Sequence, residues 1–234
     1  MLNFDAIFVD FYGTVVGGDR QAVAAVCARV VADLELNTTP KAFALTWGEH
    51  FFSLIESCNG EGFATLRDIE FRSLSTALGH AAHGVDLATY VEDMDAYWAN
   101  PPIHDDALAF LQAVRLPVCC VSNADERPLH DAIHTLGLAF SEVISSESVR
   151  CYKPNPTIFE VALDRMACKP DRVLHIGDSR HSDVAGAAAL GMTTAWVCRA
   201  DRIHDIGTAT PDFTVPTLTS LMNGTLAEGS SCVR

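Results

Sequence analysis

Lysine is scarce in this chain of 234 residues: only Lys41, Lys153 and Lys169 occur, and 16 basic residues face 30 acids for a net charge of −14. A field of that sign repels phosphate backbones and anionic lipid, so no nucleic-acid partner is expected, and a small anionic substrate would need local help from a base or a metal ion. No apolar run approaches the roughly 18 residues that a membrane span requires, so no membrane partner is expected either. There is no C-x-x-C pair and no zinc-spaced array among Cys27, Cys58, Cys119, Cys120, Cys151, Cys168, Cys198 and Cys232. They read as reduced, mostly buried thiols. No basic stretch or small-residue cleavage site precedes Ala6-Ile7-Phe8-Val9, which makes a cytoplasmic location the expectation. Nothing in the pattern speaks to oligomeric state.

What is present is periodicity of two kinds. The apolar run Ile7 to Val9 ends at Asp10 and turns through Gly13 and then Gly17-Gly18, the mark of a buried strand leaving a sheet through a tight loop. From about Gln21 to Tyr97 the strand signal vanishes. Apolar residues recur instead at helical spacing: Val23, Val26, Val30; then Phe43, Trp47, Phe51, Leu54; then Leu66, Ile69, Leu74. Beyond Pro101-Pro102 helices and short apolar strands alternate: helix 105–114, strand 118–121, helix 129–136, strand 143–144, helix 156–166, strand 173–176, helix 184–190, strand 194–197, and a last strand near 213–215.

That order predicts an α/β fold, a Rossmann-like doubly wound parallel sheet with an α-helical unit inserted after its first strand. The expected division is 1–16 plus 100–234 for the core and 17–99 for the helical cap. The polar tail Gly229-Ser230-Ser231 is expected to fray.

In such sheets ligands bind outside the carboxyl ends of the strands. The residues found there are Asp10, within Asp10-Phe11-Tyr12-Gly13-Thr14; Ser122-Asn123; Lys153-Pro154; and Gly177-Asp178-Ser179 with Asp183 five residues beyond Asp178. Taken singly, each has a plain explanation as a loop cap, a surface base or a helix N-cap. Four separate loops supplying carboxylates, a hydroxyl and an ammonium to one edge are better read as a site. Asp10 can attack an electrophilic phosphorus or carbon and form a covalent intermediate. Lys153 can keep it ionised, and Ser122 can donate to the transferred group. Mg²⁺ prefers oxygen ligands, which Asp10, Asp178, Asp183 and the backbone carbonyl of Tyr12 could provide. Asp183 could also cap the following helix.

These residues, in this order, resemble the haloacid dehalogenase (HAD) superfamily of hydrolases with a helical C1-type cap. The resemblance implies a nucleophilic Asp10, Thr14 supporting its loop, Ser122 and Asn123 on the substrate, Lys153 balancing charge, and Asp178 with Asp183 as the acidic Mg²⁺ pair. It also implies a mobile cap and a small anionic substrate.

One position departs from the pattern. Phosphatases of the superfamily carry a second aspartate two residues after the nucleophile, as general acid and base, and here Tyr12 stands there. A phenol is a weak proton shuttle at neutral pH. Tyrosine is typical of the superfamily's 2-haloacid dehalogenases, whose halide leaves without a proton. Those enzymes usually lack the acids of the fourth segment, however, and carry a cap arginine where Thr46-Trp47 is here followed by Gly48. Phosphonate cleavage through Lys41 as a Schiff base is a further option. The reading adopted at this point is Mg²⁺-dependent hydrolysis of a small phosphorylated metabolite. The alternatives are 2-haloacid dehalogenation through an aspartyl ester and a catalytically weak binding or regulatory relative. His50, on the cap, is the expected stand-in for the absent acid, since an imidazole has a suitable pKa.

Overall fold

The computed structural model describes residues 4–199 and 207–224. Six strands, β1 (Ala6–Val9), β2 (Val118–Ser122), β3 (Glu142–Ser145), β4 (Val173–Gly177), β5 (Thr193–Val197) and β6 (Phe213–Val215), form one sheet in the order β3-β2-β1-β4-β5-β6. Every pairing in it is parallel. The order runs outward from β1 in both directions, which places the topological switch beside β1. Register makes the strand ends level: Val9 lies opposite Cys120 on one side and Ile176 on the other. The residues that follow, Asp10, Val121-Ser122 and Gly177-Asp178, therefore emerge together.

Alternation along β1 shows why the sheet is covered on both sides. Ile7 and Val9 face a core shared with α5 (Asp105–Ala113), α6 (Glu126–Thr135) and α10 (Leu218–Gly224), whereas Ala6 and Phe8 face α8 (Pro156–Met166) and α9 (Gly186–Ala189). A short helix, α7 (Ser146–Val149), follows β3. The helix expected over 184–190 instead begins as a π turn, Arg180–Ala185, and only then becomes α9. The strand at 213–215 is present as expected, and α10 was not foreseen.

Between β1 and α5 lie four helices, α1 (Asp19–Asp33), α2 (Pro40–Ser57), α3 (Leu66–Leu78) and α4 (Ala88–Ala99). Thr39 caps α2, its side chain accepting from Ala42 N–H at 3.2 Å with Pro40 at the first helical position, and Thr65 caps α3 by accepting from Asp68 N–H at 3.1 Å. The four helices close a core of their own around Val26, Val30, Phe43, Trp47, Leu74 and Met94. Trp47 donates from inside it to Ser73 Oγ at 2.9 Å. The insert then meets the sheet domain at several polar points. Gly60 N–H reaches the Arg150 carbonyl at 2.9 Å, Tyr152 N–H reaches Asn59 Oδ1 at 2.7 Å, and Tyr152 OH reaches the Ala64 carbonyl at 2.9 Å.

Among the described residues no helix is long and apolar enough to cross a membrane. The seven described cysteines are free thiols, five of them buried. Cys232 and the tail at 229–231 lie outside the described residues.

Candidate active site

Asp10, the first residue beyond β1, is buried, and Lys153 Nζ donates to its Oδ1 at 2.6 Å. The same ammonium donates to Asp183 Oδ1 at 2.7 Å and to the Val121 carbonyl at 2.9 Å, so all three of its N–H bonds are used. Burial works against the charge on Lys153, but the Asp10 and Asp183 carboxylates outweigh it and push its pKa upward. Lys153 is a fixed cation and not a proton acceptor.

The opposing carboxylates are not equivalent. Burial raises Asp10, and Lys153 only partly offsets it. Asp183 is equally buried, yet Lys153 and His175 hold it below the usual carboxylate range. His175, on β4, lies with Nε2 3.0 Å from Asp183 Oδ1, and Ser179 N–H donates to Asp183 Oδ2 at 3.1 Å. Gly177 is required beneath it: a Cβ there would stand 2.1 Å from Asp183 Cγ.

Thr14, fully buried, donates from Oγ1 toward Asp10 Oδ2 at 3.1 Å and lies 3.4 Å from Asp178 Oδ1. Carboxylate oxygens of Asp10, Asp178 and Asp183 all lie within 4.8 Å of one another. One ammonium among three buried carboxylates leaves a negative excess. The ligand atoms are all hard oxygens, so the set fits Mg²⁺ in both charge and chemistry. Ser122 Oγ is also buried here and has no hydrogen-bond partner among the described residues, which fits a group kept for a ligand.

The other expected site residues are placed differently. Asn123 exchanges two bonds with the Lys153 backbone, donating from Nδ2 to its carbonyl at 3.2 Å and accepting from its N–H at 2.7 Å. Its amide locks two loops together. Tyr12 turns its ring away from the carboxylates. Its hydroxyl donates to the Trp98 carbonyl at 2.6 Å, its ring stands edge-on to that of Trp98 at 4.7 Å, and burial raises its pKa further. His50 does not join the cluster. It lies on α2 about 140° around the axis from Ile55, at roughly 100° per residue, and it is Ile55 that packs toward Tyr152. Among the described residues His50 makes no hydrogen bond or ion pair. Lys41 is exposed at the start of α2.

Four residues that help shape the site went unremarked in the sequence: His175, Arg199, Asp125 and Trp98. Arg199 bonds the nucleophile turn through the Thr14 carbonyl at 2.7 Å. Asp125, just beyond Ser122-Asn123, accepts from Leu66 and Arg67 N–H at the start of α3, at 2.6 and 3.0 Å. Only His175 carried a usable signal, as a polar residue inside an otherwise apolar strand. A cleft of about 220 Å³ is lined by Ile55, Glu56 and Asn59 of the insert and by Tyr152, Lys153, Pro154 and Asn155 of the sheet domain.

A family model described as haloacid dehalogenase-like hydrolase matches residues 4–191. The chain belongs to that family. The resemblance noted from the four segments thus holds, and the protein is a hydrolase of the HAD type. An (S)-2-haloacid dehalogenase of Pseudomonas fluorescens is 26% identical over 231 residues, covering 95% of this chain and 97% of that one. A phosphoserine phosphatase of Thermus thermophilus is 33% identical over 119 residues, 49% of this chain and 47% of that one. The structure of L-2-haloacid dehalogenase from Xanthobacter autotrophicus superposes with a TM-score of 0.77 at 21% identity, over 97% of this chain and all of that one, which establishes the shared fold. The full-length likeness to dehalogenases favours the alternative raised from Tyr12 over the phosphatase reading adopted first.

Proposed function

We propose that this HAD hydrolase uses Asp10 to displace a leaving group that departs as a stable anion, and that its substrate is a small 2-halocarboxylate. The observation that carries the reading is the commitment of the Tyr12 hydroxyl to the Trp98 carbonyl at 2.6 Å. The position where a proton shuttle would stand holds a half-buried phenol whose proton is already donated elsewhere. A halide needs none.

In this scheme Lys153 holds Oδ1 of Asp10, leaving Oδ2, steadied by Thr14, to attack the carbon that bears the halogen. A C–O bond forms, the C–halogen bond breaks, and the halide takes the bonding pair. Water then attacks the carbonyl carbon of the aspartyl ester, giving up a proton to Asp178. The bond from the Asp10 carbonyl carbon to the substrate oxygen then breaks with its pair on that oxygen, which takes the proton back from Asp178. A 2-hydroxy acid is released, and Asp10, now carrying the water's oxygen, ionises again by losing the second proton to solvent. Ser122, with its unpaired hydroxyl, donates to the substrate carboxylate. Asp183 keeps Lys153 in place, its Oδ1 accepting from the ammonium and its Oδ2 from Ser179 N–H.

A second reading is favoured by the three-carboxylate cluster, which the Tyr12 argument does not explain. There Asp10 and Asp178, with the Tyr12 carbonyl, would hold Mg²⁺, and the substrate would be a phosphate whose leaving group is weakly basic. When bound, the ion would supply the positive charge that the anionic substrate requires.

The test is release of halide from (S)-2-chloropropionate beside release of phosphate from phosphoserine and p-nitrophenyl phosphate, with Mg²⁺ and with chelator, for wild type and Asp10→Asn. Halide release lost in Asp10→Asn supports the first reading. Phosphate release that needs both Mg²⁺ and Asp10, without halide release, replaces it with the second. Silence on all three substrates removes both and leaves the binding role.

A further inference from the structure

The turn carrying Asp10 is closed largely by its own backbone. Gly13 N–H reaches the Val16 carbonyl at 2.7 Å, and Val15 and Val16 N–H both reach the Phe11 carbonyl, at 2.9 and 3.0 Å. The Thr14 carbonyl is held from outside the turn, by Arg199 Nη2 at 2.7 Å. Arg199 stands two residues past the end of β5 and beyond the stretch matched by the family model. It is itself oriented by Asp106 in the first turn of α5, with Nη1 and Nη2 donating to the two carboxylate oxygens at 3.0 and 3.2 Å. Asp106 also accepts from Leu218 N–H at 2.7 Å. The Arg199 and Asp106 side chains are only 10% and 15% exposed.

The geometry is one that arginine alone provides. A planar fork can pair two nitrogens with a carboxylate and still present an N–H to a carbonyl, whereas an ammonium offers no fixed second direction. Thr14 then transmits the constraint, because its backbone is held by Arg199 while its hydroxyl donates toward Asp10 Oδ2 at 3.1 Å. We infer that Arg199, oriented by Asp106, is a positioning residue of the nucleophile turn: it fixes the Thr14 backbone and through it the direction in which the Asp10 carboxylate faces. Such a role acts on rate more than on binding, since a misplacement of about 1 Å at a reacting group can cost about 10²-fold.

Three variants test this, Arg199→Gln, Arg199→Lys and Asp106→Asn, read by amide exchange of the turn and by steady-state kinetics. In Arg199→Gln the amides of Gly13, Val15 and Val16 should exchange at least ~10-fold faster while those of Cys119 to Val121 on β2 do not change. On whichever of (S)-2-chloropropionate and p-nitrophenyl phosphate the wild type turns over, kcat should fall roughly 10- to 100-fold with KM within about 3-fold. Arg199→Lys should recover part of that loss, and Asp106→Asn should lie between. A residue that only ties β5 to α5 would instead raise exchange throughout the sheet and leave kcat of the folded variant unchanged, and either result overturns the inference. Should Arg199→Gln not fold, Asp106→Asn carries the same exchange comparison, and unchanged exchange in its turn overturns the inference equally. The exchange readout uses no substrate, so its outcome is separate from that of the proposed reaction.

Discussion

Tyr12 and Trp98 join the nucleophile turn to the last turn of α4: a phenol two residues after Asp10 donates to a backbone carbonyl of the helical insert at 2.6 Å. The contact ties chemistry to architecture, because the side chain that follows the nucleophile by two residues also fastens the insert to the sheet domain. Trp98 continues the chain of contacts, donating from Nε1 to Glu70 Oε1 at 2.7 Å inside the insert.

Tyr12→Phe removes the phenol's proton without changing the ring. If the leaving group departs unassisted, kcat stays within about 3-fold of wild type. Stability falls by about 1 kcal/mol, the usual net value of one lost hydrogen bond. Denaturant melts and halide assays measure the two effects separately. A loss of turnover above 100-fold would show that the hydroxyl moves a proton after all.

Lys153→Met leaves Asp10 and Asp183 buried without their shared cation. Removing one partner of a buried ionic group costs about 3–5 kcal/mol, and here two carboxylates are stranded. The expected outcome is a large drop in the urea midpoint together with loss of turnover. A variant as stable as wild type would mean that Lys153 is not the ammonium holding the site together.

Glu70 gives a prediction about pH. Burial pushes its carboxyl up to about 8 from an ordinary 4.5, against the smaller opposing effect of the Trp98 N–H. A carboxyl raised on folding stabilises the native state fully below its unfolded pKa and loses that contribution as pH rises through the folded value. Stability should therefore decline between about pH 4.5 and pH 8, and Glu70→Gln should lack this part of the slope. Melts at pH 5 and pH 9 compare the two proteins, and an unchanged difference between the two pH values would contradict the assignment.

Gly177→Ala places a methyl 2.1 Å from Asp183 Cγ. Asp183 is pinned by Lys153, His175 and Ser179, so the turn after β4 must shift instead. A displacement of that size predicts about 10²-fold lower turnover in a protein that still folds. Kinetics beside circular dichroism would show it, and wild-type turnover would indicate that the turn yields without consequence.

Mg²⁺ binding can be read without any substrate. Three buried carboxylates against one ammonium should draw the ion, and a ligand at 100 times its Kd adds about 2.7 kcal/mol to native stability. Millimolar Mg²⁺ should raise the melting temperature of wild type and leave that of Asp178→Asn unmoved. Equal shifts in both would place the ion elsewhere.

Much of the arrangement was legible because it is written in local pattern. The two periodicities separated helical insert from alternating sheet domain, and α8 and β6 fall where those patterns placed them. The end of a buried strand is likewise a local signal, so Asp10, Ser122 and Asp178 could be named. His50 could not be judged in the same way, because its place on α2 depends on which face of the helix meets the loop at Tyr152, and that is settled by packing. The π turn at Arg180–Ala185 was missed for a similar reason: bonds from Lys153, His175 and Ser179 to Asp183 hold that turn, and all three partners lie outside it, two of them on other elements.

By itself the sequence determined the order of strands and helices and the kinds of chemical group at the strand ends, since both follow from side-chain periodicity along one stretch of chain. Only the tertiary structure decided how those groups share protons and charge. Lys153 stands between Asp10 and Asp183, Asn123 holds the loop of Lys153, Tyr12 points to Trp98, and Arg199 reaches Thr14 across 185 positions. A hydrogen bond depends on a few tenths of an ångström and on direction, and for groups so far apart in the chain these are set by the packed sheet and helices that carry them.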